Sequence, residues 1–196
     1  MSACKWPGNN EIMRRYHDRE WCVPSRDEVY LFEMLTLEGA QAGLSWSIVL
    51  AKREEYRKAF HQFDIRYCAE LSDEELESIR DNFSVIRNMA KIRSVRNNAR
   101  LVLKLQEEFG SFADYLWRFV NDKPVVNSWE TDSLMPARTL LSDGLSLDMK
   151  KRGFKFVGSV ILYSFLQAMG MVDDHVRTCP FHTLNRTSQV GGGGLK

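Results

Sequence analysis

Leu37-Glu38-Gly39-Ala40-Gln41-Ala42-Gly43-Leu44-Ser45-Trp46 packs an unusual chemistry into ten positions. An apolar helical run ends on one carboxylate, two glycines permit close backbone approach, and a tryptophan follows. An acid among apolar residues is costly unless it has a partner. Aromatic residues gather in the neighbouring sequence: Trp6, then Tyr16-His17-Asp18-Arg19-Glu20-Trp21. A carboxylate beside several aromatic faces can receive a flat, electron-poor or cationic ring. The bland reading is that Trp6, Tyr16, Trp21 and Trp46 are core residues.

Working outward, the periodicity is helical nearly throughout. Ser25 with Glu28 reads as a capping box that opens a helix ending near Gly39. A second helix is expected from Leu44 to Phe60. Ser72 with Glu75 caps a short helix reaching Arg80, and Asn82, Phe83 and Ser84 interrupt. A long helix follows from Ile86 to Glu107, its Ile92, Val95, Ala99 and Val102 spaced for a buried face. Ser111 with Asp114 starts an aromatic helix that reaches Val120. Residues 121–141 read as a long loop. Further helices are expected over Ser142–Arg152 and Gly158–Met169, the second fully buried. The tail from Thr183, with its run of glycines, reads as disordered.

The chain has 196 residues, is 44% hydrophobic and carries a formal net charge of +1. That length supports one domain or two small lobes sharing a core. No apolar run has the roughly 18 residues of a membrane helix, and no secretory pattern opens the chain. A cytoplasmic protein is the default expectation, and nothing argues for more than a monomer. Charge is uneven. Residues 85–104 carry Arg87, Lys91, Arg93, Arg96, Arg100 and Lys104 without an acid, and 149–158 carry Lys150, Lys151, Arg152 and Lys155 without one. These segments are either solvated helix faces or a surface for a directional anionic partner.

Two further constellations stay open on residues alone. Cys4, His17, His175 and Cys179 form a Cys2His2 set, one pair from each chain end, suited to a closed tetrahedral zinc site. His175 and Cys179, four apart, share a face if that segment is helical. The alternative is buried thiols and unrelated histidines, and His182 is a rival ligand. His61 reads as a surface or boundary residue. The break at 81–85 is either a plain turn or a helix-hairpin-helix whose N–H groups, with Arg87 and Lys91, hold a phosphate. It lacks a glycine, and Asn82 could take the left-handed conformation instead.

In order along the chain, Cys4-x-Trp6, Tyr16-His17-Asp18-x-Glu20-Trp21-x-Val23-Pro24, Leu37-Glu38-Gly39-x-Gln41-Ala42-Gly43-Leu44-Ser45-Trp46, Ile86-Arg87-Asn88 with Lys91-Ile92, Lys151-Arg152-Gly153-Phe154-Lys155-Phe156-Val157-Gly158 and Asp174-His175 closely resemble the bacterial 3-methyladenine DNA glycosylase I family. The likeness spans residues 3–180. It implies an all-α helix-hairpin-helix DNA glycosylase fold with a zinc site tying the N- and C-terminal segments, as one unit over 1–182. Within that unit a helix-hairpin-helix lobe covers about 40–140, and the chain ends supply a second lobe. It implies base-excision repair: 3-methyladenine is flipped from alkylated double-stranded DNA, its N-glycosidic bond is hydrolysed, and free base and an abasic site remain without strand cleavage.

By the same resemblance Glu38 is the catalytic, base-recognising carboxylate. Tyr16 and Trp46 are stacking walls, Trp6 and Trp21 surround the same pocket, and Ser164 lines its floor. Gly43 and Leu44 form the DNA-probing element, and Arg87, Lys91 and Lys151 face DNA. Cys4, His17, His175 and Cys179 match the family's structural zinc ligands. The chain departs at Cys22, where the family has glycine, at Met13, where it has tyrosine, and at Ser84, where its hairpin has glycine. A positive φ would strain Cys22. These departures motivate one alternative: a non-catalytic binder of damaged or abasic DNA.

Overall fold

The computed structural model describes residues 4–190, with side chains to 186. It is mostly helical: α1 (Glu11–Arg19), α2 (Glu28–Gln41), α3 (Trp46–Ala51), α4 (Arg53–Ala59), α5 (Ile65–Glu70), α6 (Asp73–Asn82), α7 (Met89–Phe109), α8 (Phe112–Trp117), α9 (Leu140–Lys151), α10 (Ser159–Ala168) and α11 (Thr183–Val190). Two short strands, β1 (Val125–Val126) and β2 (Val172–Asp173), pair in parallel. No helix among the described residues is long and apolar enough to cross a membrane.

The core is organised around α2. Every residue from Leu31 to Ala40 is buried, because α3, α7, α8 and α10 all pack against this helix. A helix surrounded on all sides must be apolar all round. Glu33, Thr36 and Glu38 are therefore exceptions that need a reason.

Several expectations are corrected at helix ends. The helix predicted over Leu44–Phe60 breaks at Lys52 into α3 and α4. Ser25 and Glu28 form no capping box; Asp27 caps α2 by accepting from Tyr30 N. The Glu28 carboxylate instead accepts from Phe112 N and Ala113 N, capping the first turn of α8. The Ser72–Glu75 box forms as expected. Asn82 belongs to α6, and no residue from 82 to 88 has a positive φ. Thr183–Val190 is helical rather than disordered, with Asn185 Nδ2 donating to Cys179 O. The glycine run at 191–194 lies outside the described residues.

The basic stripe on α7 mostly serves the fold. Arg96 donates to Leu71 O and Asp73, and Arg100 donates to Ala69 O. Both cations sit at the C-terminal end of α5, where carbonyls lack helical donors and the helix dipole favours positive charge.

Candidate active site

The C-terminal part of α2 opens onto a cavity of about 310 Å³. Its walls are Trp6, Tyr16, Trp21, Glu38, Gln41 and Trp46 on one side. On the other are Val160, Tyr163, Ser164 and Gln167 of α10, with Asp132 and Met135–Ala137 from the loop before α9. Tyr16 comes from α1, Trp21 follows α1, and Trp46 opens α3. Sequence-distant aromatics converge because α1 packs against α3, which itself packs against α2.

The rings form a collar. The Trp6 and Trp21 centroids are 4.9 Å apart at 68°, and those of Tyr16 and Trp46 are 5.3 Å apart at 60°. Such tilted contacts are the favoured aromatic geometry. They also leave ring faces available to a planar guest.

Glu38 is 3% exposed. Burial pushes its pKa up to about 8, with no charged partner in opposition. Its Oε2 has no hydrogen-bond partner among the described residues, nor do Trp6 Nε1 and Trp46 Nε1. All three residues line the cavity. A buried polar atom without a partner forfeits about 1–3 kcal/mol. Asp132 Oδ1, in the lining of the same cavity, is unpartnered among the described residues as well. Two acceptors and two donors in one chamber are therefore capacity reserved for a guest.

The backbone around Glu38 is built for close contact. A Cβ on Gly39 would stand 3.2 Å from Phe156 Cβ, so the segment after α9 presses directly on the helix behind the carboxylate. Phe156 itself holds a φ of 56°, a strained conformation for a bulky residue. Asn98 secures this segment, donating to Lys155 O and accepting from Lys155 N.

A family model described as methyladenine glycosylase matches residues 6–183. The chain belongs to the methyladenine glycosylase family. It is 47% identical over 179 residues to DNA-3-methyladenine glycosylase 1 of Escherichia coli, covering 91% of this chain and 96% of that protein. It is 44% identical over 182 residues to DNA-3-methyladenine glycosylase of Haemophilus influenzae, covering 93% and 98%. A solved structure of 3-methyladenine DNA glycosylase I from Staphylococcus aureus, concerned with recognition of 3-methyladenine, superposes with a TM-score of 0.88 at 34% identity, covering 92% of this chain and 96% of that one. The chain is accordingly a base-excision repair glycosylase, a hydrolase of N-glycosyl bonds.

In this glycosylase the structure brings Glu38, Tyr16, Trp46, Trp21, Trp6 and Ser164 to one cavity. Gly43 and Leu44 are exposed just beyond it. Arg87 and Lys151 are exposed on the surface. Lys91 is not: it is 9% exposed, and its Nζ donates to Ala40 O at 2.8 Å and Ala42 O at 2.7 Å. Its expected place on the DNA face is corrected by these bonds, which draw the ammonium into the end of α2. Ser84 donates its N–H towards Glu55 at 3.4 Å and accepts from Lys52 Nζ at its carbonyl. A carboxylate already meets the N–H that a phosphate would need.

Sequence reasoning missed Gln41, Asp132, Met135–Ala137, Val160, Tyr163 and Gln167. Gln41 stands three residues after Glu38, so helical spacing could have found it. The loop carried no local signal. It is brought in by Asp132, whose Oδ2 accepts from Lys5 N and Trp6 N, and by the parallel pairing of β1 with β2.

Behind Trp21 lie the two histidines. Trp21 is stacked on His17 and edge-on to His175. Cys4, His17 and Cys179 offer ligand atoms within 4.8 Å of one another, all buried. His175 is grouped instead with Cys22 and Asp173, though its ring centroid is 4.8 Å from that of His17. His17 Nδ1 lies 2.6 Å from Asp18, and His175 Nδ1 lies 2.8 Å from Asp173. His175 Nε2 is buried with no hydrogen-bond partner among the described residues. A carboxylate on Nδ1 leaves the Nε2 lone pair for a metal, so the donor set fits zinc. The rival His182 has Nε2 on Asn127 O and accepts from Leu184 N at Nδ1. His175 and Cys179 do not share a helix face; they lie on β2's continuation and the turn after it.

Cys22 has a φ of 59°. The left-handed backbone is tolerated because Cys22 N donates to Gln167 O and its sulfur accepts from Asp174 N.

Proposed function

We propose that this cavity receives 3-methyladenine flipped out of duplex DNA, and that Glu38 recognises it by charge. The carrying observation is a buried, partnerless Glu38 with a pKa near 8 inside an aromatic collar. N3-methylation makes the base a cation and removes its pairing, so extrusion costs less than for a normal base. Stacking a cation on the collar contributes about 0.5–2 kcal/mol. A charge-assisted hydrogen bond to Glu38 adds roughly 1.5–3 kcal/mol. A neutral adenine gains little of either.

Entry of the cation shifts Glu38 to its ionised form, because an opposite charge in contact favours the carboxylate. Binding is thus coupled to release of one proton, and affinity for the cation rises with pH towards 8. Cleavage moves the glycosidic electron pair onto the ring and cancels its charge, so the methylated base leaves without further protonation. Positive charge builds on the sugar, and water captures it to give an abasic site. No lysine among the described residues lines the cavity, which supports a monofunctional reaction without a Schiff base. We read the protein as a monomer that acts on double-stranded DNA through a helix-hairpin-helix lobe and exposed Arg87 and Lys151.

Zinc held by Cys4, His17, His175 and Cys179 would be structural, binding the chain ends together behind Trp21. The buried Cys4 thiol resists ionisation, through its hydrogen bond to Cys179 and then through burial; a dication offsets that cost. Metal analysis should find about one zinc per chain, with chelation lowering the melting temperature; metal-free protein of unchanged stability ends that assignment. For the activity, the test is release of free 3-methyladenine from methylated duplex. Folded protein that binds such duplex without releasing base is instead the non-catalytic binder.

A further inference from the structure

The turn after α2 is a type II β-turn. Ala42 has φ −43° and ψ 112°, Gly43 has φ 79°, and Leu44 N donates to Gln41 O at 2.6 Å. The type I alternative differs mainly by a flip of the central peptide, which points the Ala42 carbonyl to the other side. With the flexible Gly43 as the third residue, intrinsic preference between the two is weak. The end of α2 is also loosely self-bonded, since Ala42 N reaches Gly39 O only at 3.4 Å.

Lys91 settles both points. Its ammonium bridges Ala40 O, the last buried carbonyl of α2, and Ala42 O, the carbonyl whose direction defines the turn. It reaches them from the first turn of α7, where Asn88 caps the backbone by accepting from Lys91 N. A cation at a helix C-terminus is favoured by the dipole and by orphan carbonyls. We infer that Lys91 is a positioning residue: it locks the 41–44 turn in the peptide orientation that sets Gln41 in the cavity wall and presents Leu44, 38% exposed, outside it.

This inference rests on the reading that the cavity takes a methylated base from duplex DNA. It adds a division of labour. Glu38 and the collar bind the base, whereas the locked turn matters only while the base is being parted from a paired helix. Loss of the lock therefore harms extrusion and spares binding of the free base.

The experiment compares unaltered protein with Lys91→Met, which keeps the stem and loses the donors. Three quantities are read: binding of free 3-methyladenine by tryptophan fluorescence, and excision from methylated duplex and from methylated single-stranded DNA. Free-base affinity should stay within about twofold, duplex excision should fall about tenfold or more, and single-strand excision should fall less than about threefold, as expected for misplacement rather than lost chemistry. Lys91→Arg, whose guanidinium can still span two carbonyls, should recover part of the duplex rate. The salt dependence of duplex binding should be unchanged; a slope reduced by about one would instead make Lys91 a phosphate contact and overturn the inference. A parallel fall in all three quantities, or an undiminished duplex rate, also overturns it. If Lys91→Met fails to fold, Gly43→Ala tests the same turn at its left-handed residue; it should show the duplex-selective loss, and an undiminished duplex rate there overturns the inference. Unaltered protein that neither binds nor releases the base refutes the underlying reading, an outcome separable from all of these.

Discussion

Glu33 and Glu38 stand five residues apart on α2 and are equally hidden from water, at 4% and 3% exposure. Their surroundings differ completely. Glu33 accepts bidentate bonds from both Arg53 and Arg57. Burial opposes its charge, but the two guanidiniums outweigh that and hold its pKa below the usual value. Glu38 has no charged partner among the described residues, and burial alone sets its pKa. Burial is therefore not what makes an acid functional. A carboxylate whose counter-charge is supplied by the fold is cement; one whose counter-charge is missing waits for a ligand that brings it. Glu33 also ties the elements bearing the site, since Arg53 bonds Glu20 at the end of α1 as well.

The contrast can be broken by removing each partner. Replacing both Arg53 and Arg57 by Met strands Glu33 in the core and should destabilise the fold by about 3–5 kcal/mol, read from chemical denaturation. Glu38→Gln should leave the fold intact while lowering kcat/KM for 3-methyladenine release by roughly 2–4 kcal/mol, or about 30- to 1,000-fold. A stable variant with undiminished release would remove Glu38 from the chemistry.

The two acids should also differ in the sign of their pH dependence. Because the folded pKa of Glu38 is raised, ionising it opposes folding. Its contribution is lost as pH climbs from about 4.5 towards about 8. Glu38→Gln should thus match the unaltered protein near pH 4 and exceed it by about 1–3 kcal/mol at pH 8 without ligand. Glu33 behaves oppositely: its depressed pKa contributes stability above the ordinary carboxylate range, lost as pH falls through the folded value. Equal pH profiles for Glu38→Gln and the unaltered protein would erase the distinction. The smallest effect concerns the collar. Trp46→Leu keeps an apolar wall and loses the π face, so stabilisation of the cationic base should drop by about 1 kcal/mol, read as a roughly fivefold fall in kcat/KM for base release.

The longer helices were legible through their apolar spacing, and the Ser72–Glu75 and Ser111–Asp114 caps are local chemistry; α1 and α5 were not read as helices, and α11 was read as disordered. The collar was legible through its residue types and its likeness to a known family. Lys91 was misread for a physical reason. A basic residue at a helix start looks the same in sequence whether it faces a phosphate or a carbonyl, and only the approach of α7 to the end of α2 decides. Arg96 and Arg100, spent on the end of α5, show the same ambiguity. The Glu28 carboxylate was assigned to its own helix and instead caps α8, a partner more than eighty residues away.

By itself, the chain's order of residues determined a mostly helical protein with a carboxylate set among tryptophans, because these follow from local spacing and side-chain chemistry. Tertiary structure alone decided which buried acid keeps an unanswered charge, which cations serve the fold, and which loop closes the cavity. Those outcomes depend on contacts between segments far apart in the chain, and no short window of sequence records them.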